Sequence, residues 1–152
     1  MQLFRKYALP LLALALTATA CKKDNPSDPN LPAASYMTAT IDGGYWTATD
    51  IYRVMVGADT VRFTGSRNNS TKPVTIQLVI NKYRGMGSYK LNDTAASAIY
   101  SDNTGTYKSY DGSITISADD MDHVAAGFQV SAAQSGTGTQ KAITNGQVSI
   151  KK

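Results

Sequence analysis

Residues 124–132 read Val-Ala-Ala-Gly-Phe-Gln-Val-Ser-Ala, and their alternation decides the fold class. Val124, Ala126, Phe128, Val130 and Ala132 fall at every second position. Side chains two apart share one face of a strand, so this run describes a strand with one buried face and one wet face. The same period recurs outward in both directions. Upstream, Val74, Ile76, Leu78 and Ile80 alternate with Thr75, Gln77 and Val79, and Val61 and Phe63 alternate with Thr60, Arg62 and Thr64. Ile114 and Ile116 lie between Ser113, Thr115 and Ser117, and downstream Val148 and Ile150 do the same beside Gln147 and Ser149.

The punctuation agrees with strands. Asp42-Gly43-Gly44 separates Met37–Ile41 from Tyr45–Thr49, a pairing that predicts a tight hairpin. Gly57-Ala58-Asp59, the cluster 67–73, Asp111-Gly112, Asn145-Gly146 and the Gly/Thr run 135–139 predict further reversals. No window of a dozen residues carries a helical stripe, and the best helix candidate, Asp93 to Tyr100, would make only about two turns. All 11 acidic residues are Asp and none is Glu, a bias that suits turns rather than helix interiors. The expected fold is an all-β antiparallel sandwich of roughly nine to eleven short strands, with a closed meander barrel as the alternative.

The first 20 residues do not belong to this pattern. Arg5 and Lys6 precede an apolar stretch from Ala8 to Leu16, followed by Thr17-Ala18-Thr19-Ala20 and then Cys21, the one Cys of the 152 residues. A basic start, a short apolar core and a small-residue site describe a signal peptide, and the apolar run is too short to cross a bilayer. With its Cys directly after Ala20, this segment resembles the bacterial lipoprotein signal, although Ala18 stands where that family usually has Leu. The resemblance implies cleavage before Cys21, diacylglycerol on its thiol and a fatty acyl group, such as palmitate, on the new amino terminus. Several acyl chains hold a protein stably at a membrane where one does not. Residues 22–35 contain three Pro and no apolar period, and read as a linker that in extended form spans on the order of 40 Å. The expected organisation is therefore a signal peptide at 1–20, the lipidated Cys21 with its linker to 35, and one β domain over 36–152.

Three stretches of that domain occur together in one family. Met37-Thr38-Ala39-Thr40-Ile41-Asp42-Gly43 with Trp46, then Gly112-Ser113-Ile114-Thr115-Ile116, and Ile143-Thr144-Asn145-Gly146 resemble small lipoproteins of unknown function from Bacteroidota-type bacteria. The resemblance implies an all-β fold and an outer-membrane address, facing the periplasm or the cell surface, and assigns no catalytic residue.

Charge removes one class of function. The chain carries +4, but Arg5, Lys6, Lys22, Lys23, Lys151 and Lys152 lie in the signal, the linker start and the last two positions. The nine other basic residues balance the nine Asp that remain once Asp24 and Asp28 are assigned to the linker. A neutral domain offers no field for a phosphate backbone, so no nucleic-acid partner is expected. Nucleophilic catalysis finds no free Cys, no G-x-S-x-G turn and a single His, His123. Asp119, Asp120, Asp122 and His123 are the candidates for a metal-binding turn or a metal-dependent enzyme, against the plainer alternative of solvated turn carboxylates.

Tyrosine offers another chemistry. Tyr83, Tyr100, Tyr107 and Tyr110 fall at or near predicted loops beside Arg84, Asp102, Asn103 and Lys108. Aromatic faces flanked by polar groups suit sugar rings or a protein partner, and Tyr is equally at home in plain strand packing. Trp46, sharing a strand face with Ala48, is expected in the core. Asp59-Thr60-Val61 and Asp93-Thr94-Ala95 resemble O-glycan acceptor sites of the same bacterial group. The function expected is a lipid-anchored envelope protein whose β domain binds a glycan or protein partner without catalysis, with no cofactor beyond the lipid on Cys21.

Overall fold

The structure, a computed structural model, describes residues 34–68, 73–92 and 94–152. The segment expected as a signal peptide, Cys21, most of the expected linker, residues 69–72 of the expected reversal and Asp93 lie outside the described residues. Ten strands run in chain order: β1 (Tyr36–Ile41), β2 (Gly44–Thr47), β3 (Asp50–Val56), β4 (Thr60–Arg67), β5 (Val74–Ile80), β6 (Gly87–Lys90), β7 (Ala96–Ser101), β8 (Thr106–Asp119), β9 (His123–Gln134) and β10 (Gln140–Lys151). No helix occurs among the described residues.

The all-β antiparallel architecture is as expected. The strands belong to one curled sheet rather than to two stacked ones, in the order β2-β1-β10-β9-β8-β7-β5-β4-β3, with β6 added to β8. This half-barrel stands between the sandwich and the closed barrel that the alternation allowed. Its two edge strands, β2 and β3, are consecutive in the chain. At the corner between them the Ala48 N–H donates to the Met37 carbonyl of β1 (2.9 Å), and the Thr49 N–H donates to the Ser66 carbonyl of β4 (2.8 Å). A single bent stretch of chain thus stitches the two edges together at one point. Gly65 of β4 lies beneath that corner: a Cβ there would stand 2.5 Å from Met37 Sδ and 3.1 Å from the Trp46 ring.

The residues that alternate in the sequence fill the concave interior. Val61, Phe63, Ile76, Leu78, Ile80, Ile114, Ile116 and the five alternating residues of β9 are all buried. Trp46 is 1% exposed and is, as expected, a core residue. The best helix candidate, Asp93 to Tyr100, holds most of β7, where Ala96, Ala98 and Tyr100 are buried and Ser97 and Ile99 are not. Its period is two, and the cross-strand bonds to β5 outweigh the helix propensity of its alanines.

Two expected reversals are bulges instead. β8 runs straight through Asp111-Gly112, with its register shifting between Ser109 and Asp111. β10 runs through Asn145-Gly146, shifting between Ile143 and Gly146. Asn145 has φ 50° and Gly112 φ 126°. Tight hairpin turns and some bulges both use residues at positive φ, so the same dipeptide serves either, and the flanking strands decide which. The hairpins at Asp42-Gly43 and at 135–139 do form, with Asp42 at φ 48° and Gly43 at φ 84°.

Candidate functional site

Each end of the half-barrel is closed by a tyrosine pair and an Asp–Lys pair. At the β1–β2 end, Lys141 Nζ donates to Asp42 Oδ2 (2.8 Å), and the Ala142 N–H donates to Asp42 Oδ1 (3.0 Å). The bond from Lys141 and that from Ala142 hold the Asp42 carboxyl below its ordinary pKa. The Lys141 ammonium also lies 5.7 Å from the centre of the Tyr107 ring, within cation–π range. Tyr100 and Tyr107 pack with centroids 5.7 Å apart. Both phenols are satisfied: Tyr100 Oη donates to Asp102 Oδ2 (3.0 Å), and Tyr107 Oη pairs with Thr104 Oγ1 (2.7 Å). Burial, with the Asp102 carboxylate behind it, pushes the Tyr100 phenol upward. Burial pulls the Asp102 carboxyl upward too, but bonds from Thr104, Tyr100 and the Gly105 N–H outweigh it, and its pKa falls.

At the other end Tyr83 stacks on Tyr89, with centroids 6.1 Å apart and planes at 17°. Lys152 Nζ pairs with Asp119 Oδ1 at 2.6 Å. Burial raises the Asp119 carboxyl, and the Lys152 bond, the neighbouring Tyr83 hydroxyl and the positive charges of Lys152 and Arg53 lower it by more. Tyr89 Oη donates to the Gly85 carbonyl (2.8 Å) and accepts from the Arg84 N–H (3.1 Å). The buried Tyr83 hydroxyl has no partner at good geometry.

In the acidic turn, one carboxylate bonds the turn's own backbone. Asp120 Oδ1 accepts the N–H groups of Asp122 (3.0 Å) and His123 (2.8 Å). Asp119 faces Lys152, His123 Nε2 pairs with Ser149 Oγ (2.6 Å), and Asp122 is exposed. No group of three or more His, Cys, Asp or Glu positioned to hold a metal ion occurs among the described residues.

The four tyrosines singled out by sequence do not share one exposed face. Tyr100 and Tyr107 are buried, Tyr83 is half-buried, and Tyr110 is 56% exposed. Three tyrosines that the sequence reasoning passed over, Tyr36, Tyr45 and Tyr52, are exposed. Their place on strand faces opposite buried residues, such as Tyr45 beside Trp46, was the signal that could have found them. Of the two Asp-Thr pairs, Asp59 is exposed in the β3–β4 turn, and Thr94 Oγ1 bonds Asn92 Oδ1 (3.1 Å).

A trough runs along β9 on the outer surface. It joins three depressions: those of about 430 and 290 Å³ share Thr115 and Gly127, and that of about 290 Å³ shares Gln129 with a third of about 230 Å³. Its floor is the middle of the wet face of β9, where Ala125, Gly127, Gln129 and Ser131 lie between His123 and Ala133. Small residues here leave room between the outward rows of β8 and β10. The register places Thr115 and Gln147 on either side of Gly127. The bulge of the Ile-Thr-Asn-Gly motif pushes Thr144 and Asn145 to the rim, and the Phe128 ring occupies the space where a Gly146 Cβ would sit. Tyr36 stands at one end of the trough. Next to Asp111 at the other, outside the lining residues, Tyr110 reaches from β8 across β9 to Gln140 of β10, its Oη donating to Gln140 Oε1 (3.3 Å).

These features define a small antiparallel β half-barrel with polar caps at both ends and, on its outer face, a trough whose one charged lining residue is Asp111. The chain belongs to a family described as a domain of unknown function, DUF6252, which matches residues 33–150. No curated protein and no solved structure matches it.

Proposed function

We propose that this chain is a lipid-anchored protein of the cell envelope, held at the outer membrane by acylated Cys21, whose β domain is a non-enzymatic module for a glycan or protein partner. The observation that carries this reading is Cys21, placed directly after a signal-like segment and before a Pro-rich linker that leads into the folded family domain. Acyl chains supply the membrane affinity, and the linker supplies reach. The β domain then needs no membrane-binding surface of its own, which fits its neutral charge. The trough supports the binding role, because it presents a row of hydroxyl and amide side chains with Asp111 as its one charged lining residue.

The test is growth with an alkyne analogue of palmitate, followed by coupling to a fluorophore and protease shaving of intact cells. Wild type is expected to carry the label and to fractionate with the outer membrane, and Cys21→Ser to lose both. An unlabelled, freely soluble wild type overturns the proposal. Digestion of the domain in intact cells assigns it to the cell surface, whereas digestion only after lysis assigns it to the periplasmic face.

A further inference from the structure

We infer that the β9 trough is a docking site for an extended, neutral polysaccharide. The inference rests on the reading of the domain as a binding module and names its site and ligand class. Four observations narrow the occupant.

The trough is a sheet face and not an edge. The backbone groups of β9 are engaged with β8 and β10 on both sides, so a peptide strand finds no free ladder to join. No Lys or Arg lines it, and Asp111 at its margin is the one charged lining residue, which disfavours nucleic acid and anionic lipid. It lacks the aromatic, Met or Arg core of a protein interface, since its floor is Ala, Gly, Gln and Ser. What remains is a row of hydroxyls and amides. Among the described residues the side chains of Gln129, Asn145 and Gln147 make no hydrogen bond, although all three are exposed. Hydroxyl groups of a sugar chain both donate and accept, and so match Gln, Asn, Ser and Thr side chains one for one. Tyr36 and Tyr110 stand at the two ends, where their rings can face the apolar side of a sugar. From Ala125 to Ser131 the floor is about 20 Å long, room for several sugar units in line.

Gly127 gives a clean way to block this site. An added Cβ would meet nothing nearer than the Gly146 carbonyl at 3.8 Å, and the backbone there is ordinary strand. Gly127→Arg therefore fills the trough from its floor without strain in the fold.

The experiment is affinity electrophoresis of the full chain, in a detergent without a sugar headgroup, through gels containing dextran, galactomannan or xyloglucan. Alginate serves as the acidic control. The expected result is retardation of wild type by at least one neutral polymer, weakened tenfold or more in Gly127→Arg and several-fold in Tyr110→Ala, with the melting temperature of both variants near wild type. Retardation by alginate alone, by none of the neutral polymers, or equally in wild type and Gly127→Arg overturns the inference. If Gly127→Arg melts early, Gln129→Ala replaces it under the same criterion. Failure here, with Cys21 labelled and the protein at the membrane, removes the polysaccharide and leaves the tethered module standing. Polysaccharide binding by a chain that never acquires lipid does the reverse.

Discussion

Gly65 and Gly127 each interrupt the middle of a strand, at the same cost in chain entropy, and they do so for opposite reasons. Gly65 faces inward under the corner where β2 passes into β3, and Met37, Trp46 and Ala48 occupy the space its side chain would take. Gly127 faces outward, where a Cβ would meet only the Gly146 carbonyl at 3.8 Å. One absence makes room for the side chains of Met37, Trp46 and Ala48 beneath the corner that stitches the edges together. The other leaves a hollow that no neighbour fills. A strand glycine generally marks either close approach or a weak point. Which of the two applies depends on the face, and the face on the register.

The most severe disturbance of the closed side should come from Trp46→Ala, which removes the largest side chain beneath the corner. A loss of about 3–5 kcal/mol is expected in urea unfolding, as for other large-to-small aromatic changes in cores. A loss below about 1 kcal/mol would mean that the corner does not depend on its indole. Matched substitutions of the two glycines come next. Gly65→Ala is expected to destabilise by about 1–3 kcal/mol through overpacking, and Gly127→Ala to stay within about 0.5 kcal/mol of wild type. Equal effects at the two positions would break the contrast between them.

The smallest effect belongs to the polar cap. The Asp42 carboxyl is held below its ordinary value of 3.8, first by the bond from Lys141. A carboxyl with a lowered folded pKa adds stability above the unfolded pKa, and that stability is lost as pH falls through the folded value. Asp42→Asn keeps an acceptor for the Ala142 N–H and tolerates the positive φ, but loses the ion pair. Because the pair is partly exposed, a deficit of only about 0.5–1 kcal/mol is expected at neutral pH. That deficit should begin to shrink below about pH 4, where the unfolded carboxyl takes up its proton, and vanish below the lowered folded value, where the wild-type carboxyl is neutral in both states. A deficit that persists unchanged into acid would assign the role of Asp42 to the turn geometry and not to its charge.

The candidate site was only partly legible beforehand. Tyr110 was among the residues singled out, and it does stand on the outer face at one end of the trough. Tyr100 and Tyr107 were grouped with it as neighbours in predicted loops, yet both lie in β-strands with their rings packed at the end of the core. A one-residue error in register carries a side chain from one face of a sheet to the other. The bulge between Ser109 and Asp111 is such a shift, and neither it nor the depth of the trough follows from a local pattern.

What the amino-acid sequence determined by itself was everything governed by neighbours along the chain: strand period, hairpins at Asp42-Gly43 and at 135–139, the inward set from Val124 to Ala132, and the core position of Trp46. Each depends on a side-chain alternation or a turn preference that a few consecutive residues express. Only the tertiary structure decided that ten strands make one curled sheet, that Asn145-Gly146 bulges where a turn was expected, and that Gly127 of β9 lies between Thr115 and Gln147 on the floor of a trough. Those outcomes depend on which strands become partners and in what register. That choice is made by packing between residues far apart in the chain, and it leaves no local periodicity to read.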